Sequence, residues 1–178
     1  NKDLIIIKNF DILINNNEFK ILNYVFYNNG KLNNNNEDIA YKLFNLIQNT
    51  DLLNLDYPKN IDYYFFYLNL ALILNPNFNE ALYLKGQIYQ ELKFFIKAEK
   101  VFNKINKQHS LYIEAQKSIA LSKKYTNKFY ESEKLLIKLM NEYPNNDSII
   151  MLLADLYQTN KNYDKAINLF AVLIENKA

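Results

Sequence analysis

One register governs this chain. The segment after Pro76, NFNEALYLKGQIYQELKFFIKAEKVF, overlays the segment after Pro144, NNDSIIMLLADLYQTNKNYDKAINLF, at a constant offset of 68 residues. Gly86 then meets Ala154, Tyr89 meets Tyr157, Ala98 meets Ala166 and Phe102 meets Phe170. Halving the offset finds a middle copy, in which Ala120, Lys123, Ser132 and Leu136 fall in register, so the period is 34. Ala, Gly and Ser together make up 17 of 178 residues, yet all six tight positions (Gly86, Ala98, Ala120, Ser132, Ala154, Ala166) are drawn from them. Chance gives that on the order of once in thirty thousand over all phases, so the period is taken as real. Two antiparallel helices approach closely only where side chains are small, while large residues fill the spaces between.

Apolar residues recur at steps of three and four within each copy, which predicts two amphipathic helices and no strands. First helices are expected at 79–92, 113–126 and 147–160, and second helices at 95–108, 129–142 and 163–175. Asn79 and Asp147 occupy N-cap positions, and Pro76 and Pro144 stop the preceding helices.

Leu82, Gly86, Tyr89, Ala98 and Phe102 in one copy, and Ile150, Leu153, Ala154, Tyr157, Ala166 and Phe170 in the last, resemble the tetratricopeptide repeat. Its signature is an aromatic, then Leu-Gly, Tyr, Ala, Phe and Pro at fixed steps. The middle copy fits through Ile119, Ala120, Leu136, Leu139 and Pro144, with Gln116 and Lys123 in place of aromatics. Lys85 replaces a leucine and Ser110 replaces the usual Pro. The resemblance covers 79–178. It implies an all-α, right-handed α-solenoid of helix-turn-helix repeats, of the kind found in bacterial multi-repeat proteins, with repeats at 79–112, 113–146 and 147–178.

A degenerate repeat is expected at 37–78, pairing a helix at 38–50 with one at 61–74 around the insertion DLLNLDYPKN. The longest apolar stretch, Ile61 to Leu74, spans 14 residues and contains Asp62 and Asn69, so it reads as a buried helix and not a transmembrane segment. Residues 1–36 are expected to hold a helical hairpin, from apolar clusters at 3–14 and 18–28, and the polar linker NNNN. Asn29-Gly30 also signals a β-turn, so a β reading of that hairpin stays open. The first residue is Asn1, consistent with a processed chain or a fragment. Ala178 directly follows the last repeat without a polar capping helix, so either more protein follows or another subunit covers the final helix.

Composition excludes several chemistries. There is no Cys, Trp or Arg, the 21 basic residues are all lysine, and the two glycines, Gly30 and Gly86, cannot make a phosphate loop. No thiolate metal site, disulfide or arginine clamp is possible, and no cofactor or small-molecule substrate is expected. His109, the single histidine, lies in a loop without a second imidazole or a thiol and is read as a surface residue. Asp and Glu show no calcium-loop spacing, so catalytic and metal residues are expected to be none. The 30 asparagines reflect an AT-rich genome more than a function.

Net charge is +2, but residues 85–138 carry 12 Lys against 5 Glu and no Asp. Lys93, Lys97, Lys100, Lys104 and Lys107 are spaced 4, 3, 4, 3, which predicts a stripe along one second helix. That stripe is either a convex patch for an acidic partner, an anionic membrane or RNA phosphate, or simply a solvated outer face. Nucleic acid is disfavoured without Arg or interleaved aromatics. The resemblance implies a concave groove lined by first helices, here Tyr83, Gln87 and Gln90, then Lys117, Leu121 and Lys124, then Met151, Asp155 and Gln158. Amides and lysines suit a peptide backbone or carboxylate, and Tyr83, Leu121 and Met151 suit apolar side chains, although an ordinary wet surface is equally open. Members that clamp a C-terminal carboxylate use Lys/Asn, Asn and Lys/Arg at positions here held by Tyr83 and Gln87, Ser118, and Ser148 and Leu152, and none matches.

The expected function is therefore a non-catalytic scaffold or adaptor that binds a peptide or protein partner in the groove. The alternative is a structural subunit docking through the Lys stripe or chain ends, with RNA-backbone binding a third reading. A cell-envelope or periplasmic location is preferred over cytoplasm on the resemblance to envelope-associated bacterial repeat proteins.

Overall fold

The structure is a computed structural model that describes residues 36–49 and 61–175. The expectations for the N-terminal hairpin, its linker and the 51–60 insertion lie outside those residues, apart from Asn36, which opens the first helix. The described residues form helices α1 (Asn36–Asn49), α2 (Ile61–Leu74), α3 (Asn79–Glu91), α4 (Phe95–Phe102), α5 (Tyr112–Tyr125), α6 (Phe129–Glu142), α7 (Asp147–Thr159) and α8 (Tyr163–Glu175), and no strands. By contacts the chain divides into two compact units, residues 1–81 and 82–178, with the boundary inside α3.

In the first unit α1 packs on α2. Ala40, Leu43, Phe44 and Ile47 on α1 and Tyr67, Leu68, Ala71 and Leu74 on α2 are buried. Their three- and four-residue spacing makes each set one helical stripe. Past α2 the chain turns at Asn75-Pro76, where the Asn75 side-chain oxygen accepts the Asn77 amide at 3.1 Å. Phe78 then returns to the core and meets the Phe44 ring edge-on at 5.0 Å.

The second unit stacks helical hairpins. Its tight positions behave as their size requires. A Cβ built on Gly86 would lie 2.4 Å from the ring of Phe102, so only glycine lets that ring cross α3. One period on, Ser132 is buried and its Oγ donates to the Ala120 carbonyl at 2.8 Å, which closes α6 onto α5. Ala154 and Ala166 are buried likewise between α7 and α8, beside a core that includes Leu136, Leu139, Ile149, Leu153 and Leu156.

The turns inside the hairpins are equally periodic. Lys93, Asn127 and Lys161, 34 apart, each have φ of 60°. In each, the next residue's amide reaches back five positions (Phe94 to Tyr89, Lys128 to Lys123, Asn162 to Tyr157) at 2.8–2.9 Å. This is the left-handed C-terminal cap that ends many helices. Two of the three sites hold lysine, a residue with no ease in that region.

Three details differ from the sequence reading. The second helix of the first hairpin stops at Phe102 and not at 108. Its last amides switch to three-residue steps, Lys104 to Val101 and Ile105 to Phe102, which turns Ile105 into the core. Asn106 then takes the Gln108 amide on its side-chain oxygen at 3.0 Å, drawing the backbone out of the helix. Two helix starts also differ: Asp147 is the first residue of α7, with Asn146 at the cap position without a side-chain cap bond, and Asn79 is the first residue of α3 and not its cap.

Polar ties cross the hairpin boundaries at one register. Lys123 on α5 pairs with Glu99 on α4 at 2.8 Å and with Glu131 on α6 at 2.7 Å. One period later the Tyr157 hydroxyl donates to Glu133 at 2.7 Å, and Lys165 pairs with the same oxygen at 3.1 Å. The Tyr157 hydrogen bond, with Lys165 assisting, holds the Glu133 carboxyl below its ordinary value of 4.5.

Three outcomes are expected. Gly86→Ala gains about 1 kcal/mol of helix propensity but overpacks Phe102 at a typical cost of about 1–3, so urea melts should show no gain and a net loss of up to about 2 kcal/mol. Lys161→Gly should raise stability by about 0.5–1 kcal/mol, and Asn127→Gly by less, because asparagine already tolerates the left-handed region. Because Glu133 is more acidic folded than unfolded, its contribution is complete above pH 4.5 and is lost as pH falls through the depressed value. Glu133→Gln should flatten that acid limb of urea midpoint against pH.

Candidate functional site

The first helices place the predicted groove residues on three elements: Tyr83, Gln87 and Gln90 on α3, Lys117, Leu121 and Lys124 on α5, and Met151, Asp155 and Gln158 on α7. Four of them converge. Lys117, Leu121, Met151 and Asp155 line an open hollow of about 460 Å³ between α5 and α7, together with Glu114, Ser118, Ser148 and Leu152. Leu121, Met151 and Leu152 give it apolar surface, and Met151 is exposed.

Lys117, which lines the hollow, and Lys124, which reaches its Asp155 from outside, are both committed to neighbours. Lys117 Nζ pairs with Glu114 at 2.6 Å and donates to Ser148 Oγ at 2.8 Å, so it ties α5 to α7. Lys124 forms an ion pair with Asp155 of α7. Their side chains are only 13% and 12% exposed. Largely covered and already neutralised cations are poor anchors for a carboxylate, and reversing either charge would disturb the stacking of α5 on α7. The hollow is thus an apolar seat with ion pairs at its ends.

The α3 residues contribute differently. Gln90 donates to the Ser118 carbonyl at 2.8 Å and to Ser122 Oγ at 2.9 Å, so its amide ties α3 to α5. Ser122 is fully buried there and its hydroxyl donates a hydrogen bond to the Ser118 carbonyl at 2.9 Å. The Tyr83 ring lies 5.6 Å from that of Phe102. Burial pushes its phenol up, with a hydrogen bond to Ser118 opposing and the Glu114 charge adding to the rise. Gln87 and Gln158 are exposed.

The lysine stripe is not continuous. Lys93 sits in the left-handed turn, Lys97 and Lys100 lie on α4, and Lys104 and Lys107 follow its end. All five are exposed, but they do not share one helix. His109 has a local role: its Nδ1 accepts the Leu111 amide at 3.2 Å ahead of α5. Among the described residues no group of three or more His, Cys, Asp or Glu is placed to hold a metal ion. No described helix is long and apolar enough to cross a membrane.

Glu114 was not singled out in the sequence, and Ser118, Ser148 and Leu152 were named only as positions where the carboxylate clamp does not match. Each lies three positions from a residue expected to line the groove, so a full turn on either side of the small-residue register would have included them.

No family model matches the chain, and no curated protein matches it in sequence. Solved structures do match. MamA superposes with a TM-score of 0.64 at 15% identity, covering 89% of this chain and 84% of that one. A tetratricopeptide repeat protein from Parabacteroides merdae gives 0.57 at 23% identity, covering 89% and 58%. PilF of Pseudomonas aeruginosa gives 0.52 at 17% identity, covering 80% and 69%. With the all-helical hairpins and the 34-residue register, these likenesses establish that the chain has the fold of the tetratricopeptide-repeat solenoids.

Proposed function

We propose that this chain is a non-catalytic adaptor that binds a segment of a protein partner in the groove between its first helices. The observation that carries the reading is the hollow between α5 and α7, where Leu121, Met151 and Leu152 offer apolar surface between the Lys117 and Asp155 ends. Its size suits one bulky apolar side chain of a peptide with part of its backbone, and Ser148 and the ion-pair rims supply polar partners around it. The like-folded MamA and PilF structures are compatible with such a role and do not specify it.

A second reading, a subunit fixed within a larger assembly, is favoured by α8. Ile167, Phe170 and Ile174, at helical spacing, are exposed there. An apolar helical stripe of that kind gains by being covered.

The groove reading is tested by pull-down from native lysate of the source cells. The baits are wild type, a Leu121→Gln/Met151→Arg variant and a Lys100→Glu control, each checked for helicity. A partner retained by wild type and control, and reduced at least tenfold on the groove variant, is the expected result. The same partner at equal yield on all three baits would overturn the groove.

A further inference from the structure

The turns that join first to second helices carry side chains that neither the hairpin cores nor the groove accounts for. Along the chain they read Lys93-Phe94-Phe95-Ile96-Lys97, then Tyr125 through Lys128 to Tyr130, then Lys161-Asn162-Tyr163. Because the three turns share one backbone geometry at a 34-residue spacing, they follow one another along a single edge of the second unit. Direct contacts join them. The Phe95 ring stacks on Tyr125 at 4.8 Å, and Lys165 beside the third turn pairs with Glu133 beside the second.

That edge concentrates exposed apolar surface. Ile96 is 59% exposed and Tyr130 75%, and Phe94, Tyr125 and Tyr163 are exposed too. Phe94 and Tyr125 have ring partners in Tyr89 and Phe95. Tyr130 and Tyr163 have no hydrogen-bond or ring partner among the described residues, so their exposure serves no packing there. Lysines flank these side chains. Lys93, Lys128 and Lys161 make no ion pair among the described residues, and Lys97 lies over the Phe94 ring at 4.7 Å with its charge open to solvent. Acidic residues at the edge are Glu91, Glu131, which is paired with Lys123, Glu133, which is paired with Lys165, and Asp164. The first two turns lie in the stretch that carries 12 Lys against 5 Glu.

We infer that this turn edge is a peripheral docking surface for an anionic lipid bilayer. A bilayer interface is the environment that takes all of these groups together. Tyrosine sits with its ring among headgroups and its hydroxyl wet, isoleucine and phenylalanine enter the acyl boundary, and lysines reach anionic headgroups while their stems cover the apolar layer. A nucleic-acid strand would use the aromatic faces and the lysines but has no place for Ile96, and the Tyr125 ring is already stacked on Phe95 while Lys97 lies over the Phe94 ring. The surface is independent of the groove hollow, which lies between the bodies of α5 and α7.

The test is co-sedimentation of the full chain with phosphatidylcholine vesicles, with and without about 30 mol% phosphatidylserine. Wild type should pellet with the anionic vesicles only, and less as salt rises. An Ile96→Ser/Tyr130→Ser variant and a Lys93→Asn/Lys97→Gln/Lys128→Gln variant, both checked for helicity, should each bind roughly tenfold or more weakly. The Leu121→Gln/Met151→Arg groove variant should bind like wild type, so failure of the groove reading and of this one are told apart. Wild type that stays in the supernatant, or edge variants that bind undiminished, overturns the inference. Tighter binding to polyuridylate than to anionic vesicles also overturns it and assigns the edge to nucleic acid.

Discussion

The second unit depends on how closely two helix backbones are allowed to approach. At Gly86 the Phe102 ring occupies the space a side chain would need, and at Ala120 the backbone carbonyl is near enough for the Ser132 hydroxyl to reach it. Everything larger is arranged around those points. Leu136 and Leu139 are buried because α6 has come close, and Ile149 and Leu153 are buried because α7 then packs on the pair. A small residue contributes little area of its own, but it sets the interhelical distance at which the large ones lose their water.

The hairpins are then joined by directional bonds as well as apolar packing. Gln90 with Ser118 and Ser122, Lys117 with Ser148, and Lys124 with Asp155 all run from one first helix to the next. These ties fix the angle between successive hairpins more narrowly than leucine against leucine could, since a hydrogen bond loses strength within a few tenths of an ångström and a few tens of degrees. They also explain the character of the hollow. Lys117 in its lining and Lys124 beside it are spent on geometry, and what is left open is largely apolar.

Much of the helical plan was legible because the same residue classes return every 34 positions, and a repeated pattern averages out local ambiguity. The end of α4 was not. Ile105 continues the apolar period, and only the turn-forming habit of Asn103 and Asn106 opposes it, a contest decided by a buried isoleucine that two geometries can equally place. Leu121, Met151 and Asp155 were reachable from sequence because residues beside a small tight position must face away from the partner helix. The ties of Lys117 to Ser148 and of Lys124 to Asp155 were not, since those partners are 31 residues distant and nothing in the spacing distinguishes a lysine that meets solvent from one that meets Asp155. The left-handed lysines were hidden for a related reason: a residue unsuited to a conformation gives no local sign of adopting it.

The polar ties at hairpin boundaries have a consequence for how such an array is put together. Position 99 and its equivalents 133 and 167 hold Glu, Glu and Ile, while position 89 and its equivalents 123 and 157 hold Tyr, Lys and Tyr. Glu99 meets Lys123 and Glu133 meets Tyr157, so both glutamates are matched by a donor on the following first helix. Excising residues 113–146 would bring Glu99 against Tyr157, a pairing of the kind Glu133 already makes. Copying the last hairpin after itself would instead set Ile167 against a tyrosine, with no carboxylate to take its hydroxyl. The hairpins are therefore not interchangeable bricks. Duplicating residues 113–146 would set Glu133 against a lysine, the pairing Glu99 already makes, so the array can be shortened or lengthened in register from its inner hairpins but not by copying its last one.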